Sequence, residues 1–65
     1  MEKDFEENIW DLLSLNEQKT ATEIAGILNR SYYDVLRVLN NLEKENKIEK
    51  IQIKNYTYWR KKNVN

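Results

Sequence analysis

Apolar residues recur at helical spacing through the earlier part of the chain and at alternating positions near its end. Phe5, Ile9, Leu12 and Leu13 fall on one stripe, which predicts a first helix over about residues 4–16. Acidic residues crowd its first turns, where the helix dipole favours them. Trp10 projects about 100° from that stripe, so it is either a flank covered by the same chain or an apolar contact for a second subunit. After the polar break Asn16-Glu17-Gln18-Lys19, the run Thr20-Ala21-Thr22-Glu23 has the form of a capping box, in which hydroxyl and carboxylate satisfy exposed amides at a helix start. A second helix is expected over about residues 21–29, with Ile24, Ile27 and Leu28 inward and Ala25 and Gly26 small enough for close approach of a neighbouring helix. Asn29-Arg30 forms a turn, and Ser31-Tyr32-Tyr33-Asp34 opens a third helix with a second capping box.

The third helix, expected over about residues 32–45, separates its faces. Val35, Val38, Leu39 and Leu42 lie on one side, and Tyr33, Arg37, Asn40 and Lys44 recur on the other. Asn46 suits the left-handed conformation of a helix stop. Beyond it, Ile48, Ile51 and Ile53 alternate with charged residues, and Tyr56, Thr57, Tyr58 and Trp59 have strand character. These residues predict a hairpin over about residues 47–62 with Lys54-Asn55 as its loop. The register then sets Ile53 opposite Tyr56, Ile51 opposite Tyr58 and Glu49 opposite Arg60. Tyr58 reads as core, Tyr56 and Trp59 stay open between core and surface, and residues 63–65 read as a frayed end. Two capped helices separated by a short turn make a helix-turn-helix. With the helix before and the hairpin after, the pattern is an α+β winged helix-turn-helix, three helices followed by a two-stranded β-hairpin wing, in one domain spanning residues 1–65.

Composition narrows the chemistry. The chain has no cysteine and no histidine, which removes disulfides, a thiolate nucleophile, an imidazole base and the usual zinc ligands. The carboxylates of the first helix are accompanied by no nucleophile, so neither an enzyme nor a cofactor is expected. The amino terminus is acidic where a signal peptide is basic, and no apolar run approaches the roughly 18 residues that span a bilayer. A cytoplasmic protein without a membrane partner is expected. The formal net charge is zero, but residues 1–23 carry two basic against seven acidic side chains, and residues 24–65 carry nine basic against four acidic. The halves are thus −5 and +5, and a polyanion responds to the local field rather than to the sum.

Double-stranded DNA is the partner these features suggest. A major groove admits an α-helix, where Arg37 can donate two hydrogen bonds to guanine and Asn40 can pair similarly with adenine. Tyr33 and Lys44 extend the same stripe. Ser31 and Tyr32 stand at the helix start, where free amides favour a phosphate. From the hairpin, Lys50, Lys54, Arg60 and Lys61 can reach the sugar-phosphate backbone, with Tyr56 interleaved. Leu36, beside the stripe, reads as a core flank in preference to a contact with a thymine methyl. A protein-interaction module would instead use Trp10, Leu15 and Leu36, and a sequence-neutral architectural protein would use the basic surface alone.

The segment SYYDVLRVLNNLEKENKIEK resembles the recognition helix and first wing strand of MarR and ArsR winged-helix regulators. Val35, Arg37, Leu39 and Leu42 fit their core pattern, Asn46 stands where Gly is usual, and Ile48 begins the strand. Arg37-Val38-Leu39 with Leu42, the step from Lys47 to Lys50, and Trp59 also resemble Zα-type domains that bind left-handed nucleic acid. Leu36 and Asn40 replace the Asn and Tyr of those domains, and the Pro pair before their tryptophan is missing, which argues against left-handed DNA. The resemblance implies a small transcriptional regulator. Compared with larger regulators, the chain lacks an effector pocket, so no small-molecule ligand is expected. A module this short covers few base pairs, which favours a homodimer.

Overall fold

A computed structural model describes the backbone of residues 2–62 and the side chains of residues 4–62; the end at residues 63–65, read as frayed, lies outside the described residues. Helix α1 is Glu2–Leu12, strand β1 is Lys19–Thr20, helix α2 is Ala21–Leu28, helix α3 is Tyr32–Lys44, and strands β2 and β3 are Ile48–Ile53 and Tyr56–Lys61. The three helices and the antiparallel hairpin are those of a winged helix-turn-helix. The strands run in the order β1-β3-β2, because β1, which the apolar pattern does not reveal, pairs antiparallel with β3 through Lys19 and Trp59 and through Thr20 and Tyr58.

α1 stops at Leu12, short of the expected end near residue 16. The Ser14 hydroxyl accepts the N–H groups of Asn16 and Glu17, at 3.3 and 2.8 Å. Such local bonds offer the backbone an alternative to another helical turn. The Ser14 carbonyl accepts the Lys61 N–H at 3.0 Å, so the chain leaves α1 directly onto the hairpin. At the start of α2, the Thr20 hydroxyl accepts the Glu23 N–H at 3.1 Å; Asn29 ends the helix at φ 55°. At the end of α3, Asn46 takes φ 63°, and the N–H groups of Asn46 and Lys47 donate to the carbonyls of Glu43 and Leu42, both at 3.0 Å. This is a Schellman motif on an asparagine, and it delivers the chain to Ile48.

Phe5, Ile9 and Leu13 of α1 and its exit, Ala21, Ile24 and Ala25 of α2, the four apolar residues of α3, Ile48 and Trp59 are buried together. No polar side chain is buried among the described residues. The hairpin register is the expected one, and Arg60 Nε donates to Glu49 Oε2 at 2.6 Å. Trp59, only 2% exposed, joins the core, whereas Tyr58, expected there, is half-buried on the other face of the sheet. Neighbouring strand residues face opposite ways, so one of the two had to turn outward.

Two residues of α2 depart from expectation. Ile27, expected inward, is 54% exposed, because the buried positions Ala21, Ile24 and Ala25 centre the inward face about 100° away from it. No neighbouring element comes within 4 Å of the place a Cβ would occupy on Gly26, so that glycine serves no close helix approach. The packing partner is Ala25. Beyond the turn, the Arg30 guanidinium lies 3.9 Å from the centre of the Phe5 ring and covers it.

Candidate nucleic-acid interface

α3 buries Val35, Val38, Leu39 and Leu42 and exposes Tyr33, Arg37, Asn40 and Lys44. The i, i+4, i+7, i+11 spacing places those four on one stripe, and Tyr33 is 77% exposed. Ser31 caps the helix by accepting the Tyr33 N–H at 3.2 Å. Its hydroxyl hydrogen is still available to donate. Tyr32 and Tyr33 meet edge to face with ring centres 5.4 Å apart, which holds both at the helix start. Arg37 Nη2 lies 3.9 Å from Asp34 Oδ1, one turn earlier.

Between α3 and the hairpin runs a groove of about 650 Å³. Tyr32, Leu36 and Asn40 line it from α3; Lys50, Asn55, Tyr56, Thr57 and Trp59 line it from the hairpin; and Thr20, Ala21 and Thr22 close it from the start of α2. Tyr32, Asn40, Lys50 and Tyr56, distant in sequence, therefore share one surface. The sequence marks Thr20, Thr22, Asn55 and Thr57 for cap, loop and strand and not for this surface. The capping box already marked the first turn of α2, but the pairing of β1 with β3 is what brings that turn to the hairpin.

The hairpin cations divide by the parity of the strands. Lys50 shares a face with Trp59, its ammonium 5.5 Å from the ring centre, and Lys54 sits at the tip with φ 55°. Arg60 is on the opposite face, held by Glu49. Lys61 lies at the far end of the hairpin with its ammonium 4.6 Å from the centre of the Trp10 ring. Of the three candidates for a protein interface, Trp10 is half-buried against the core with the Lys61 ammonium beside its ring, Leu36 packs half-buried against the core, and Leu15 is 47% exposed.

The surface offers a polyanion hydrogen-bond donors and fixed cations. No cluster of three or more metal-ligating side chains occurs among the described residues, and no described helix is long and apolar enough to cross a membrane. A protein-family model described as "Sugar-specific transcriptional regulator TrmB" matches residues 4–63, a span that takes in the stripe, the groove and the whole hairpin. No match was found among curated proteins. The resemblance to MarR and ArsR regulators extends to the shared winged-helix fold, and the tryptophan behind the resemblance to Zα-type domains is a core residue here. A family of transcription regulators is a family of DNA readers and not of enzymes, and an exposed helix face flanked by a basic hairpin is a surface suited to that task. The chain belongs to the TrmB family, as a winged helix-turn-helix module for sequence-specific DNA binding in transcriptional regulation.

Proposed function

We propose that α3 enters the major groove of duplex DNA, with Arg37 and Asn40 reading base edges and Tyr33 packing beside them. Ser31, Tyr32, Lys44, Lys50 and Lys54 hold phosphates, while Arg60 and Lys61 add to the positive field from outside the groove. The observation that carries this reading is the stripe on α3: four exposed polar or aromatic residues oppose four buried apolar ones, with Lys50 and Asn40 lining the same groove. Such a stripe has the length and donor content that major-groove readout requires. The module acts in the cytoplasm, where it meets DNA, as a homodimer with one α3 per half-site. In this reading the 65-residue chain responds to no small molecule, and added sugars leave its duplex affinity unchanged.

Fluorescence anisotropy of labelled duplexes at several salt concentrations tests the proposal. The slope of log K against log salt should steepen by about 0.9 for each of the phosphate-bound lysines. Arg37→Ala should weaken binding to a sequence selected from a random pool by about 1–3 kcal/mol, with a smaller loss on random duplex. Equal losses on both would make Arg37 a phosphate contact. Absence of binding at low salt would reject this surface as the DNA site.

A further inference from the structure

We propose that Asp34 is a positioning residue for specificity: its carboxylate steers Arg37 toward base edges and away from phosphates. The inference rests on the major-groove reading of α3 above. Asp34 and Arg37 are one turn apart, with Oδ1 and Nη2 at 3.9 Å. The Ser31 hydroxyl already accepts the Tyr33 N–H, and the carboxylate extends along the helix toward the guanidinium. Both side chains are partly solvated, so the pairing is loose enough to reorganise on binding.

A guanidinium has five N–H donors in a planar fork. Its edge nearest Asp34 can keep the carboxylate while the other edge donates to a base. A guanine edge presents neutral acceptors and tolerates the nearby carboxylate. A phosphate carries a full negative charge and is repelled by it. The same carboxylate therefore penalises non-specific contacts of Arg37 more than specific ones, which is how specificity arises from a repulsive element. It also reduces the effective charge that Arg37 presents to random duplex, where affinity is almost wholly electrostatic.

The experiment compares wild type, Asp34→Asn and Asp34→Glu on a duplex selected by the wild-type chain and on a random duplex, across a salt series. Circular dichroism of each variant reports folding. Asp34→Asn should bind random duplex about fivefold more tightly, the scale of a surface ion pair. The preferred site should gain less, and the salt slope on random duplex should steepen by about 0.9. Asp34→Glu, which keeps a carboxylate within reach of Arg37, should restore most of the wild-type ratio between the two duplexes. A ratio unchanged in Asp34→Asn overturns the proposal. So does a loss of both affinities with helix content, which would assign Asp34 to the helix cap alone. If the wild type selects no sequence, both the major-groove reading and this proposal fall, whereas selection with an unchanged ratio removes only the role of Asp34.

Discussion

Trp59 is the largest of the fully buried side chains, and in a chain of 65 residues the loss of one such group competes with the whole stability. Trp59→Ala should cost about 3–5 kcal/mol, against a total margin of a few kcal/mol for a domain of this size. The variant should be largely unfolded by circular dichroism at room temperature, while Ile27→Ala, on an exposed site, should shift the urea midpoint hardly at all. The hairpin cations make a second contrast. Lys50→Ala should weaken duplex binding more than Arg60→Ala in the same anisotropy titration, because Lys50 lines the groove beside Asn40 and Arg60 is ion-paired on the opposite face. Equal losses would mean that the wing contributes only a diffuse field. At this scale the sequence was ambiguous where two similar residues are adjacent. Tyr58 and Trp59 both suit a strand core, and only packing into the core shared by the three helices selects the second. Ile24 and Ile27 both suit an inward helix position, and an eight-residue helix is too short for periodicity to separate them.

Each element is bounded by specific side chains, and most of those bounds could be read in advance. Thr20 and Ser31 cap their helices, and Asn46 adopts the left-handed stop expected of it. Capping depends on nearest neighbours, so it is legible without knowledge of the fold. The exit of α1 is different, because Ser14 stops it in concert with the Lys61 N–H from the other end of the chain. Ser14→Ala frees two backbone amides and should loosen that junction. Amide exchange at Lys61 should accelerate, with a loss of about 1 kcal/mol in urea unfolding. Unchanged exchange would show that the pairing of β1 with β3 holds the junction alone. Asn46→Gly should act in the opposite sense, since glycine takes a positive φ with less strain, and should raise the melting temperature slightly.

At the scale of the whole molecule, charge and architecture divide in the same direction. α1 shares the core with the buried face of α3, opposite its stripe, Glu7 and Asp11 of α1 are exposed, and the protein measures 29 × 28 × 18 Å. Screening lengths of about 8 Å at physiological salt and about 30 Å at 0.01 M bracket its thickness. Glu7→Lys with Asp11→Lys should therefore tighten binding to random duplex clearly at 0.01 M salt and very little at 0.15 M. A large gain at the higher salt would bring α1 into direct contact with DNA. The sequence by itself determined the three helices, the hairpin and its register, the two faces of α3 and the separation of charge, because periodicity, capping and turn chemistry act over a few residues. Only the tertiary structure decided that β1 joins the sheet, that Trp59 and not Tyr58 fills the core, that Lys50 faces the groove while Arg60 turns from it, and that the start of α2 lies beside the hairpin. Those outcomes depend on contacts between residues far apart in the chain, and no local pattern encodes which of two equally suited side chains will meet them.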